Sequence, residues 1–298
     1  MPLINMIGYS LPNPDNSSVS ASNRVENTII FASTCKKYFY PSHSTPHLLV
    51  ANFRNPGAYL LNDRQISTND KSFYFLNPGD KLEINFRHNL PTDTFLILFN
   101  NNFITEVTNT CQSTTNRLLE RPFEINNTEF RTPSVPFFFN SAILRCFNSI
   151  KANGMDDLFN PDCLLSDLVV EFLKLRHETI PEIEKINAKR KSTREELYRR
   201  ITLAKLYMEE NALLPLTIDQ IAIVACLNKF HFLKVFKDMY GITPHQFLIN
   251  KKLEKSLVLL KSGNFSIGEI CQLVGFESLG TFTNLFKRRY GQSPSKFY

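Results

Sequence analysis

The feature that most restricts the fold lies in the last hundred residues, where one helical pattern is written twice. IDQIAIVACLNKFHFLKVFKDMYGITPHQF (218–247) aligns with IGEICQLVGFESLGTFTNLFKRRYGQSPSKF (267–297), with one extra residue near Glu277 in the second copy. Ile221 matches Ile270, Ala222 matches Cys271, Phe232 matches Phe282, Phe236-Lys237 matches Phe286-Lys287, and Tyr240-Gly241 matches Tyr290-Gly291. Each copy opens on a capping box, Thr217-x-x-Gln220 or Ser266-x-x-Glu269, in which hydroxyl and N3 side chain satisfy each other's free backbone N–H. A short helix, a tight turn, a second helix capped by Asn228 or Ser278, and a glycine stop then follow. That outline is a helix-turn-helix, with units at 217–241 and 266–291.

The flanking signals are also helical. Thr193-x-x-Glu196 reads as a third capping box, opening a helix with Leu197, Ile201, Ala204 and Met208 on one face. Thr243-Pro244-x-Gln246 combines a cap with proline at the first helical position and opens a connector over 245–260. Phe247, Leu248, Leu257 and Leu260 are its core candidates, and Ser293-Pro294 repeats the cap and proline pairing.

Spacing assigns faces within each second helix. Phe232, Val235 and Phe236 point inward in the first copy, leaving Phe230, Leu233, Lys234 and Lys237 on the opposite stripe. In the second, Phe282, Leu285 and Phe286 point inward and leave Gly280, Thr283, Asn284 and Lys287 in matching register. A helix carried across another fits the major groove of DNA, about 12 Å wide, where base edges present a full donor and acceptor code. Lysines suit phosphate or guanine, asparagine suits adenine, and Phe230, Leu233 or Thr281 suit thymine methyls. The competing reading buries Phe230 and Leu233 and leaves the lysines as solvated charges. Lys251, Lys252, Lys255, Arg288 and Arg289 are the expected contacts to the DNA backbone. Charge agrees: residues 182–298 carry 19 Lys+Arg against 11 Asp+Glu, a net +8, whereas residues 1–181 carry 15 against 17, a net −2.

The N-terminal half has a different texture. Between Ile29 and Phe139, short apolar segments such as HLLVANF (47–53), AYLLN (58–62), SFYFL (72–76), LEINF (82–86), TFLILF (94–99) and PFFFN (136–140) alternate with Asn/Asp/Pro/Gly turns. This predicts an antiparallel barrel or sandwich. Asn160-Pro161-Asp162 then caps a helix in which Leu164, Leu165, Leu168, Val169, Phe172 and Leu175 either cover the sheet of the same chain or meet their twins in a dimer. The domain expectation is a flexible leader at 1–28, a sensing or dimerisation domain at 29–178, a polar linker at 179–192 and a DNA-binding domain at 193–298.

No apolar run reaches the roughly 18 residues of a membrane span, and the start has no secretory pattern. Six widely spaced cysteines without a C-x-x-C pair suggest reduced, mostly buried thiols in a cytoplasmic protein. His43 and His47 lie four apart, His88 stands alone and there is no H-x-H, so neither a metal site nor a cofactor is expected. Nor does the chain carry a nucleophile elbow or phosphate loop, which weighs against an enzyme.

GFESLGTFTNLFKRRYGQSPSKF (275–297) closely resembles the signature of the AraC/XylS-type bacterial transcription regulators, and the resemblance extends over roughly 193–298. It implies an all-α domain of two helix-turn-helix subdomains joined by a linker helix and contacting adjacent major grooves of double-stranded DNA. The implied contacts are Lys229, Phe230, Leu233 and Lys234 in one recognition helix, and Leu279, Gly280, Thr281, Thr283 and Asn284 in the other. The stripes and caps extend these sets to Asn228, His231 and Lys237, and to Ser278 and Lys287. Cys226 stands where the family usually has glycine, which predicts a strained or differently shaped first turn. The N-terminal half, with FYFLNPGD (73–80), looks like the cupin-type domain of many such regulators. The whole chain is therefore expected to be an α+β multidomain protein and an effector-responsive activator. Its expected partners are DNA, RNA polymerase, a small-molecule effector and a second copy of itself. The alternative keeps the DNA-binding half but leaves the N-terminal half with dimerisation or protein contact alone.

Overall fold

A computed structural model describes residues 3–7, 27–34, 37–87, 89–112, 130–153 and 162–297. The chain divides into two compact units, Met1–Ile180 and Pro181–Tyr298.

The first unit is built on two antiparallel sheets. Strands β1 (Leu3–Ile7), β2 (Thr28–Thr34), β4 (His47–Phe53), β7 (Ser72–Leu76), β9 (Thr92–Phe99) and β10 (Phe137–Phe138) form one, in the order β1-β2-β9-β4-β7-β10. Strands β3 (Tyr38–Ser44), β5 (Gly57–Leu61), β6 (Arg64–Thr68) and β8 (Lys81–Phe86) form the other, in the order β3-β8-β5-β6. Leu48, Val50, Tyr74, Leu76, Leu96 and Leu98 of the larger sheet share one core with Tyr59, Leu61, Ile66, Leu82, Ile84 and Phe86 of the smaller. A sandwich follows directly from that alternation. Buried among these residues, Asn52 accepts from the hydroxyls of Tyr59 and Thr68 and donates to Thr94, so the polar groups near the core satisfy one another.

The other face of the larger sheet is covered by helices, which is why β4, β7 and β9 are buried almost throughout. Helices α1 (Asn101–Gln112), α2 (Ser141–Asn153) and α3 (Asp162–Glu184) follow the strands. Phe147 of α2 packs on Phe95 with centroids 4.9 Å apart, and Phe172 of α3 stacks on Phe75 at 4.4 Å and 8°. The apolar stripe of α3 therefore covers its own sheet, which decides between the two readings left open by the sequence.

Four expectations are corrected. Of the expected flexible leader at 1–28, Leu3–Ile7 form β1, which pairs with β2 from Leu3↔Ser33 to Ile7↔Ile29 and has four apolar residues of five, while residues 8–26 lie outside the described residues. Residues 179–192 are not a polar linker throughout. Helix α3 runs to Glu184, and Thr179, Ile183 and Ile186 are buried, three inward positions hidden in a charged stretch. The unit boundary falls inside α3 at Pro181, which has no N–H for the i−4 carbonyl. The Thr193 capping box does not form, because the next helix begins at Lys191 with Arg190 at the cap, three residues before Thr193, and Glu196 pairs instead with Arg199 and Arg200. Of the five described cysteines only Cys271 is buried, while Cys111, Cys163 and Cys226 are exposed. Asn160, Pro161, His88 and Cys35 lie outside the described residues.

The second unit is helical. A long helix, α4 (Lys191–Glu210), precedes α5 (Ile218–Val224) and α6 (Lys229–Tyr240), and a second long helix, α7 (Pro244–Ser262), precedes α8 (Ile267–Leu273) and α9 (Leu279–Tyr290). A 3-10 turn at Pro294–Lys296 follows, where Ser293 makes no side-chain cap bond to the backbone. In each copy the short helix has 7 residues and the following one 12.

Candidate nucleic-acid interface

Local chemistry builds both units alike. Thr217 with Gln220 and Ser266 with Glu269 form complete capping boxes on α5 and α8. Asn228 accepts from the His231 N–H at the start of α6, and Ser278 from the Thr281 N–H at the start of α9. Gly241 and Gly291 end these helices with left-handed φ of 72° and 78°. Thr243 and Gln246 box the start of α7 with Pro244 in its first turn.

Packing fixes which face each second helix shows. Phe232, Val235 and Phe236 are buried in α6, as are Phe282 and Phe286 in α9, while Leu285 is half-buried. Phe236 meets Phe232, Tyr240 and Phe247, and Phe286 meets Phe282, Tyr290 and Phe297. The expected outward residues lie opposite. In the first unit Asn228, Lys229, His231, Lys234 and Lys237 are exposed, Leu233 is half-buried and Phe230 is 82% exposed. In the second unit Ser278, Leu279, Gly280, Thr281, Asn284 and Lys287 are exposed and Thr283 is half-buried. An apolar ring so exposed is not core, so the reading that buries Phe230 fails; for Leu233 it holds in part.

The expected backbone contacts divide. Lys255 and Arg288 are exposed. Lys251 reaches Glu254 at 3.0 Å and Glu209 at 3.5 Å; burial lowers its ammonium pKa, but the two carboxylates outweigh that and hold it above the usual lysine value. Arg289 lies 3.6 Å from Glu254, and Lys229 pairs with Asp219 at 2.9 Å. These pairs are solvent-facing and weak, so a phosphate can compete for the cation. Lys252 differs: it is half-buried, burial pushes its pKa down, and its Nζ donates to the Gly275 carbonyl at 2.9 Å. Its ammonium is thus engaged by the turn that precedes α9.

The turns themselves carry the expected irregularity. Cys226 has φ +51° where Gly275 has φ +74° in the second unit, so an L-residue occupies a left-handed position. The Cys226 carbonyl accepts from Arg200 Nη1 at 3.0 Å, and Arg200 Nε in turn donates to Glu196 at 2.7 Å. Sequence reasoning passed over Arg200. Extending the repeat upstream would have found it, since Arg199-Arg200-Ile201 stands to the first unit as Lys251-Lys252-Leu253 does to the second.

Residues 221–298 match the helix-turn-helix domain family. The probable transcriptional regulator LumQ of Photobacterium leiognathi is 32% identical over 91 residues, 30% of this chain and 37% of LumQ. The probable transcription factor PqrA of Proteus vulgaris is 34% identical over 80 residues, 27% of this chain and 66% of PqrA. The crystal structure of a probable AraC family transcriptional regulator from Rhodopseudomonas palustris is 23% identical, covering 33% of this chain and 93% of that one at a TM-score of 0.32. The match to LumQ thus spans little more than a third of that protein's length. Residues 221–298 thus form a helix-turn-helix domain, similar in sequence to part of a probable transcriptional regulator and of a probable transcription factor from bacteria.

Proposed function

We propose that the chain is a sequence-specific regulator of transcription that reads double-stranded DNA with α6 and α9 in two adjacent major grooves. One observation carries the reading: both helices bury a pair of phenylalanines on one face and leave a solvent-facing stripe in the same register on the other. Asn228, Lys229, Phe230, His231, Leu233, Lys234 and Lys237 form the first reading surface. Ser278, Leu279, Gly280, Thr281, Thr283, Asn284 and Lys287 form the second. Lys255, Arg288, Arg289 and Lys251 serve the phosphates.

Binding to duplexes selected from random sequence tests the assignment. Lys234→Ala should weaken all sequences together and flatten the salt slope by about 0.9, the signature of one lost phosphate contact. Asn284→Ala should instead cost about 1–3 kcal/mol at one base position and relax the preference there. If both variants bind as the parent does, the stripes are not the reading surface.

The N-terminal two-sheet unit is proposed to be a cupin-like sensing and dimerisation domain that makes the protein an effector-responsive activator working with RNA polymerase in the cytoplasm. No enzymatic activity belongs to this reading. Its own interior core, separate from that of the helical unit, supports an independent role. A thermal-shift screen of the full chain against a metabolite panel tests it: a stabilising hit supports the effector, and its absence across a broad panel favours dimerisation alone.

A further inference from the structure

Each recognition helix is preceded by a turn with one left-handed residue, Cys226 or Gly275. In both units the carbonyl of that residue is taken by a cation from the long helix upstream: Arg200 of α4 at 3.0 Å and Lys252 of α7 at 2.9 Å. The long helices are equivalent in other respects. Ile201, Ala204 and Met208 on α4 share the spacing of Leu253, Ser256 and Leu260 on α7, and all six are buried. The repeat therefore comprises three helices, with a basic clamp at the same place in each copy. We infer that Arg200 and Lys252 are positioning residues that fix the turn, and with it the pitch of the recognition helix, against the long helix of the same unit.

The geometry distinguishes this role from a phosphate contact. The Lys252 Nζ that reaches the turn also lies over the Phe276 ring, 5.8 Å from its centroid. Arg200 also donates to Glu196, so its guanidinium bridges a carboxylate and the turn carbonyl. The residue after each left-handed position bonds back to the short helix, Leu227 N–H to Ala222 at 3.0 Å and Phe276 N–H to Cys271 at 3.0 Å. Each turn is thus pinned from the short helix on one side and from the long helix on the other. A turn released on one side tilts the helix that follows it, and a small tilt misplaces base-edge contacts while leaving the cationic surface intact.

This inference rests on the DNA-reading proposal, and the experiment keeps the two separable. Arg200→Met and Lys252→Met in the full chain remove the donor and keep the aliphatic stem; Lys252→Arg restores a donor, and Lys255→Ala serves as a phosphate control. The readouts are affinity for a selected duplex, affinity for a scrambled duplex, the salt slope of each, and amide exchange at Leu227 and Phe276. The Met variants should lose about tenfold or more for the selected duplex. They should lose little for the scrambled one, keep their salt slopes, and exchange the nearby turn amide faster, with Lys252→Arg recovering most of the loss. Equal losses on both duplexes with a slope lower by about 0.9 would make these residues phosphate contacts and overturn the inference. Unchanged exchange together with unchanged discrimination would overturn it too. If the parent protein selects no duplex at all, the DNA-reading proposal fails, and turn exchange alone then decides whether the clamps hold.

Discussion

The two helix-turn-helix units share one backbone plan and differ at the positions where chemistry is exposed. The first shows Phe230, Lys234 and Lys237, an aromatic ring and two cations; the second shows Gly280, Asn284 and Lys287, a bare backbone, an amide and one cation. The first turn is made from a strained cysteine clamped by arginine, the second from a relaxed glycine clamped by lysine. The first capping box closes on neutral Gln220, the second on Glu269. Interior residues such as Phe232 and Phe282 keep their identity across the repeat, because a buried ring has one shape to fill. On the proposed reading the stripes differ because each faces a different stretch of the duplex. On that reading the first unit supplies more of the charge and the second more of the base discrimination.

The largest test of this comparison is made on what the units share. Phe236→Ala and Phe286→Ala should each cost about 3–5 kcal/mol through the cavity left behind. Chemical denaturation followed by hydrogen exchange should locate the loosened amides in the unit mutated. If either variant is as stable as the parent, the inward face is wrongly drawn.

Next come the turns, where the units should respond with opposite sign. Gly275→Ala places a Cβ at φ +74° and 3.2 Å from the Lys252 Nζ, and should destabilise by about 1–2 kcal/mol. Cys226→Gly relieves the strained residue and should stabilise by up to about 1 kcal/mol, some of the gain being returned as backbone entropy. Equal signs in thermal melts would mean that the two turns are not equivalent.

The smallest effect is a pH dependence confined to the second unit. Hydrogen bonds from the Ser266 side chain and backbone hold the exposed Glu269 carboxyl below its ordinary value of 4.5. A carboxylate lowered in the folded state contributes stability above the ordinary value, and that contribution is lost as pH falls through the folded value. Glu269→Gln copies the neutral box of the first unit, and should remove this part of the acid dependence in melts between about pH 5 and pH 3.

Much of the helical part, Pro181–Tyr298, was legible because its signals are local. Caps, prolines, glycine stops and inward phenylalanines sit at fixed offsets, and even the odd turn at Cys226 is marked by the glycine its partner copy carries. The clamps were hidden because each joins residues 26 or 23 positions apart, beyond the reach of any local rule. In the other part, Met1–Ile180, the strands with strong apolar runs were found. Strand β3 carries Pro41 and β6 is mostly exposed, so neither shows a clear alternation. Helix α1 was missed because it opens on the polar run Asn100-Asn101-Asn102, where the Asn100 side chain accepts from the Asn102 N–H.

Selection of bound fragments from random duplex DNA tests the central claim most directly. The account predicts two enriched blocks about one helical turn apart, roughly 10 base pairs from centre to centre. Asn284→Ala should blur one block and substitution of Phe230 the other, while Lys234→Ala should leave both blocks in place and weaken binding overall. A single enriched block, or two whose spacing no rigid pair of helices on one side of the duplex can span, would contradict it.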